Sequence, residues 1–356
     1  VKPGVGGNLN YSKGGSAMKK GNVLFCLSIC FFLLFALSTA AFSQSPIHWR
    51  VQCYFQTPSS IGFMNRFIEN VKQKTNGKLI IKGYSANQLV KVMGVLDAVS
   101  KGAIEMGWGT GIYHMRKIPE AGFEFGLPFS WETWPETKEV YYKYGLIKKV
   151  REAYAEKGIY YISPHPAGPY LLMTKKKLNS VEDLKGMKLR VHGLAASVAK
   201  LCGASIVSIP GAEQYMALQR GTIDGTVYVT LALTALKLNE VIDYVYYPGF
   251  LKPTTDLYVN LKAWNSLSPQ TKKAVQDSID EILDDMDRGY DKNDALGLMH
   301  SLISGKLKGA LRFSDQDVAK LRTLSMKVSE RFASKNPRCG EMFQIYMKFM
   351  KDKGKI

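Results

Sequence analysis

Histidine and cysteine are both scarce, five of each in 356 residues. Cys26 and Cys30 fall inside an apolar run, which leaves Cys53, Cys202 and Cys339, an odd and widely spaced set. That pattern argues against a disulfide framework and leaves room for one bridge at most. His48, His114, His165, His192 and His300 are scattered without ligand spacing, so no metal site is expected. Gly-x-x-x-x-Gly-Lys-Ser/Thr, His-Glu-x-x-His, Gly-x-Ser-x-Gly and Cys-x-x-Cys are all missing. No nucleophile–base pair stands out, and neither an enzyme nor a cofactor is expected. Gly107-Trp108-Gly109-Thr110-Gly111 has the glycines of a dinucleotide loop, but the last spacing is wrong and Pro119 blocks a long helix.

Acidic residues are absent from the first 44 positions, which hold Lys2, Lys13, Lys19 and Lys20. Met18-Lys19-Lys20 opens a charged segment, Val23–Leu37 is almost wholly apolar, and small residues follow through Ser43. This is the layout of a secretory signal peptide, with cleavage expected near 41–45 and periplasmic export as the consequence. Residues 1–17, rich in Gly and Ser, are expected to be upstream read-through. The formal charge is +18, but the densest basic runs, 175–177 and 348–355, lack nucleic-acid spacing and are solvated surface. With 46% hydrophobic and 22% charged residues the chain is globular, and its length suits two domains.

Asn179–Gly193 organises the rest. Ser180 and Asp183 form a capping box over one helical turn, which Gly186 ends. Met187, Leu189 and Val191 alternate with Lys188 and Arg190, the period of a half-buried strand, and Ala195–Cys202 is a small-residue helix. Arg190 therefore falls near the carboxyl end of a strand feeding a helix, where ligands of open α/β sheets bind. A guanidinium there suits a carboxylate, through two parallel hydrogen bonds and the helix dipole. A structural ion pair is the competing role. His192, next to it, is a hydrogen-bonding residue rather than a base.

Strand, helix, strand, helix and strand are expected over His48–Gln56, Ile61–Thr75, Lys78–Tyr84, Gly94–Lys101 and Ala103–Trp108. The same order returns from Met187 to Val229. Such alternation favours parallel sheets flanked by helices. The fold class is thus α/β: two lobes of like topology with a hinge between them. Residues 45–167 with about 256–290 would form lobe I, and 168–255 with about 291–356 lobe II. Pro164–Pro169 is a crossing point and Pro248–Thr255 a second. Pro119–Pro128 is loop-like, and a helix starting at Trp131 continues past Gly145 to Lys157. A long helix, interrupted at Gly289, is expected from Pro269 to about Ser304, begun by Ser268 and Pro269 and able to span both lobes. Aromatic residues are plentiful. Trp108 and Tyr113 follow a strand end in the first lobe, Tyr228 ends the matching strand in the second, and Tyr170 lies just past the crossing. All four are candidates to line a cleft between the lobes.

Several stretches taken together resemble the solute-binding proteins of tripartite ATP-independent periplasmic (TRAP) transporters, of the dicarboxylate-binding (DctP) type. They are Thr75–Leu79, Asn87–Leu89, Val99–Gly107, Leu127–Phe129, Val181–Val191, Ala217–Gly225 and Trp264–Leu267. The resemblance implies two lobes closing on a ligand, a long helix across both, and Arg190 as the residue that grips a carboxylate. Its partners would be a small organic acid and membrane permease subunits, with no nucleic acid, and the protein is expected to be a monomer. Some members carry a second arginine where Tyr170 stands, and many place an acid where Thr226-Val227-Tyr228 follows Gly225. These departures favour a monocarboxylate with an apolar or aromatic body and disfavour a cation-bridged keto acid. The alternatives are a binding protein of an ATP-driven importer or sensor, and an exported two-lobed enzyme.

Overall fold

The structure, a computed structural model, describes residues 45–356 together with positions 4 and 6–9. The expected signal peptide at 18–44, with Cys26 and Cys30, lies outside the described residues, as does most of 1–17. Eleven strands occur among the described residues: β1 (Ile47–Cys53), β2 (Leu79–Tyr84), β3 (Met106–Gly109), β4 (Ile159–Pro166), β5 (Tyr170–Thr174), β6 (Lys188–Arg190), β7 (Ser205–Val207), β8 (Gly225–Val229), β9 (Tyr244–Leu251), β10 (Thr254–Asn260) and β11 (Gly309–Arg312). They form two sheets, β2-β1-β3-β10-β4 and β11-β9-β5-β8-β6-β7. In each, the repeated strand-helix-strand run supplies three parallel neighbours, β2-β1-β3 and β7-β6-β8. Antiparallel strands complete both sheets: β10 between β3 and β4, and β5 between β8 and β9.

The chain passes between sheets at Ala167–Pro169 and returns at Lys252–Pro253. Both crossings are shorter than their proline content indicates, because β4 runs on through Pro164-His165-Pro166 and β9 covers Pro248. Strand β4 is an edge strand, where a residue without an N–H leaves no ladder bond unmade. Strands β9 and β11 have no counterpart among the sequence-based expectations. The 121–125 stretch, expected as loop, forms a short buried helix, and Gly145, in a left-handed conformation at φ 88°, breaks the helical run expected across it.

The helix Pro269–Ile303 is continuous for 35 residues, about 50 Å at 1.5 Å per residue. Ser268 caps it by accepting a hydrogen bond from the Thr271 amide. Gly289 does not interrupt it; that position accommodates the Phe63 ring, which a Cβ would approach to 2.9 Å. Its first half presents Val275, Ile279, Ile282 and Met286 to a core with Val51 and Trp108 of the first sheet and Phe67 of the helix Pro58–Lys74. Its second half meets the other sheet, where Asp294 accepts from the Thr230 hydroxyl and the Leu231 amide, and Asn239 donates to Ser301 at 3.0 Å. One helix therefore buttresses both lobes. The C-terminal helix Pro337–Asp352, grouped by sequence with the second lobe, packs instead on the 121–155 segment. Tyr346 meets Phe123 and Trp131 there, and Arg338 pairs with Glu120 at 2.9 Å. Its burying face, with Met342, Phe343, Tyr346, Phe349 and Met350, recurs at helical spacing and needs an apolar partner wherever one is nearest. Cys53, Cys202 and Cys339 are free.

Candidate functional site

The residues around Arg190 come from both sheets. Its strand, β6, pairs with β8 so that Arg190 lies opposite Thr226, and with β7 so that it lies opposite Val207. The Thr226 hydroxyl sits between the Arg190 carbonyl, at 3.2 Å, and the side-chain oxygen of fully buried Gln214. Gln214 in turn donates to the Gly211 carbonyl at 3.0 Å. This chain of bonds fixes the backbone from which the guanidinium projects.

The guanidinium is only 2% exposed. Its Nε donates to the Ile209 carbonyl at 3.2 Å, and its plane lies 4.8 Å from the centre of the Tyr228 ring. Its Nη1 has no hydrogen-bond partner among the described residues. A buried arginine is ordinarily matched by an acid, since desolvating an unpaired charge costs several kcal/mol. Here no carboxylate pairs with it among the described residues, which argues against the structural ion-pair role.

Around this cation the side chains are polarisable and neutral. Tyr228 meets Tyr170 at 5.2 Å between ring centres, and Tyr170 meets Phe125 at 6.0 Å. Tyr113, from the loop after β3, stands edge-on to His192 at 6.2 Å and stacks on Tyr54 at 6.1 Å. Burial pushes the phenols of Tyr113, Tyr170 and Tyr228 up, while Arg190 pulls each part of the way back. His192 is held down to about 4 by burial and by Arg190, so it is a neutral imidazole facing the Ile209 carbonyl at 3.2 Å. The cluster therefore carries one positive charge with no paired acid among the described residues, and phenol hydroxyls able to donate.

Arg190, Tyr113, Tyr170 and Tyr228 are thus brought together from four separate strand ends. Trp108 is not. It is 1% exposed, its ring lies 4.4 Å from that of His165 and 5.9 Å from that of Phe67, and it belongs to the core under the first sheet. Gln214, Thr226 and Phe125 were invisible as site residues, because each acquires its position only through strand pairing or lobe contact. Among the described residues no three His, Cys, Asp or Glu side chains are grouped to hold a metal. Asp294, the carboxylate felt by Tyr170 and Tyr228, accepts from Thr230 and Leu231 through Oδ1.

Two α/β lobes are buttressed by one long helix, and a buried cation unpaired among the described residues lies near their strand ends. The class is that of the extracytoplasmic solute-binding proteins. The family model for bacterial extracellular solute-binding protein family 7 (DctP) matches residues 56–336, and the chain belongs to that family. It is 30% identical over 316 residues to the monocarboxylate 2-oxoacid-binding periplasmic protein of Nostoc sp., covering 86% of this chain and 84% of that one. Among solved structures, a TRAP periplasmic solute-binding protein of Pseudoalteromonas atlantica with bound sodium and pyruvate is 26% identical, with a TM-score of 0.79 over 86% of this chain and 95% of that one. Another from Colwellia psychrerythraea, with bound calcium and pyruvate, has the same fold at a TM-score of 0.81, 24% identity and the same coverages. Family membership makes this a binding protein rather than an enzyme, and it separates the chain from the binding proteins of ATP-driven importers.

Proposed function

We propose that this protein captures a small organic monocarboxylate between its lobes and delivers it to the membrane permease of a TRAP transporter. The carrying observation is the guanidinium of Arg190, 2% exposed with Nη1 unpartnered. Arg190 anchors the carboxylate, Tyr228 supports the guanidinium from below, and Tyr170 and Tyr113 close the sides with neutral hydroxyls. Trp108 acts as packing under the strand end rather than as a contact. One net positive charge in a dry pocket matches one negative charge on the ligand; a second carboxylate would be desolvated without a partner. The Nostoc relative's monocarboxylate ligands and the pyruvate of the Pseudoalteromonas protein support this size and charge. The sodium and calcium found with pyruvate are properties of those relatives; this chain has Thr226-Val227-Tyr228 after Gly225, without an acid in that stretch.

Lobes 45–167 with about 256–290, and 168–255 with about 291–336, close about the crossings at 167–169 and 252–253. Export through the 18–44 segment places the protein outside the cytoplasm, in keeping with its family. A thermal-shift screen of small organic acids on the chain from residue 45, with EDTA present, tests the reading. Monocarboxylates should raise Tm by mass action, while dicarboxylates of equal size should not. Binding of dicarboxylates alone, or binding abolished by EDTA, would overturn it.

A further inference from the structure

Beneath the glycine-rich stretch Gly107–Gly111 lie two fully buried acids, Glu124 and Asp256. A Cβ on Gly111 would stand 1.7 Å from Glu124 Oε2, and one on Gly109 would stand 3.0 Å from Asp256 Oδ1. At Gly111 a carboxyl group occupies the space a side chain would need, and at Gly109 the Tyr54 ring and Asp256 share it. Tyr161 donates to Glu124 Oε1 at 3.0 Å, and Tyr154 donates to Asp256 Oδ2 at 3.2 Å. The other oxygen of each acid, Glu124 Oε2 and Asp256 Oδ1, has no partner among the described residues. Nor do two buried atoms of the loop above them, Thr110 Oγ1 and His114 Nε2, the latter 3.6 Å from Asp256 Oδ2. Tyr113, which faces the Arg190 pocket, sits in the middle of that loop.

We propose that Glu124 and Asp256 are positioning residues that, while protonated, hold the Gly109–His114 loop and so set Tyr113 in the ligand pocket. A protonated carboxyl is a donor and carries no charge; two adjacent carboxylates are acceptors only and repel each other. No lysine or arginine pairs with either acid among the described residues. Asp256 is faced by Tyr154, by His114 and by the Tyr54–Tyr258 hydroxyl pair, and Glu124 by Tyr141 and Tyr161. Lys117 and Asp97 lie further out, where they pair with each other. Burial, with no neighbouring cation to offset it, pushes Asp256 up to about 7 and Glu124 well above its ordinary range, while burial holds His114 down to about 3.

The sign follows from linkage. An acid whose proton is held more tightly in the closed loop than in the open one favours closure most at low pH. That preference is lost as pH rises from the ordinary carboxylate range toward the raised value. Opening of the loop should therefore increase about tenfold per pH unit per acid between about pH 5 and 7, offset by one such factor below about pH 6.5, where His114 gains a proton on release. Its consequence for capture rests on the pocket reading above, but the decisive measurement needs no ligand. Amide hydrogen exchange of the peptide covering residues 109–115, corrected for intrinsic exchange, is followed from pH 5 to 9 in the chain from residue 45. Protection should fall at least tenfold per unit between pH 5 and 7 in the parent protein, with half or less of that slope in Asp256→Asn. In the Glu124→Gln/Asp256→Asn double variant the loss of protection with rising pH should be gone, leaving only the opposite slope of His114 below about pH 6.5. A pH-independent loop in the parent protein would overturn the proposal, even if neither variant folds. So would a slope unchanged in the variants, or one shared by the whole chain.

Discussion

Replacing Arg190 by methionine should separate binding from folding. The side chain is 2% exposed and makes one hydrogen bond, to the Ile209 carbonyl, and one ring contact, with Tyr228. Losing these costs about 1–3 kcal/mol of stability together. Against that, the substitution relieves a buried guanidinium with no acid beside it, and exchanging buried ionic groups for apolar ones of similar volume is often neutral or stabilising by about 1–4 kcal/mol. The two nearly cancel, so the unfolding midpoint should move by less than about 3 °C in either direction. Ligand capture has no such compensation. A carboxylate closed in the pocket without its cation loses about 3–5 kcal/mol, a factor of roughly 10² or more in Kd at 1.4 kcal/mol per decade. Calorimetric titration with the monocarboxylate that gives the largest thermal shift, beside a thermal melt without ligand, reads both. Arg190→Lys should also bind poorly, because an ammonium cannot make the planar fork. A collapse of stability with only a several-fold loss of affinity would return Arg190 to the scaffold and refute the argument.

Gly168→Ala should destabilise by about 1–3 kcal/mol, seen as a lower urea midpoint, since the added Cβ would lie 1.6 Å from Asp294 Oδ2 at a crossing between the lobes. Lys252→Met removes the cation that meets Asp287 at 2.9 Å and Asp291 at 2.8 Å from the other crossing. Because those acids are partly exposed, the expected loss of stability is about 1–2 kcal/mol, and it should shrink when the melt is repeated in high salt. Burial raises Asp294 to about 6, so its contribution to stability is greatest below about pH 4 and declines as pH rises to about 6. Asp294→Asn should flatten the stability profile in that window relative to the parent chain, by up to about 3 kcal/mol across it. Phe67→Ala, in the core beneath Trp108, should cost about 3–5 kcal/mol in a denaturant titration and leave ligand selectivity unchanged.

Local chemistry carried much of this architecture in the sequence. Ser180 with Asp183 and Ser268 before Pro269 each state where a helical turn begins, because a side-chain oxygen and a free amide a few residues on suffice to define it. Alternation over 187–191 put Arg190 at a strand end for the same kind of reason, a period of two set by the pleat. Such signals are written within a few residues and need no knowledge of the rest of the chain. Tertiary structure alone decided what each surface met. That Arg190 pairs with no acid among the described residues, that Thr226 and Gln214 brace its backbone, that Trp108 turns into the core, and that the C-terminal helix leaves the second lobe are all outcomes of pairings between residues tens to hundreds of positions apart. The same holds for Gly107–Gly111, whose glycines suit a phosphate by composition and in fact make room for the Tyr258 and Tyr54 rings and the Glu124 carboxyl. An apolar face or an unpaired charge specifies that a partner is needed; which one it finds depends on the space left when two sheets and a 35-residue helix have closed around it.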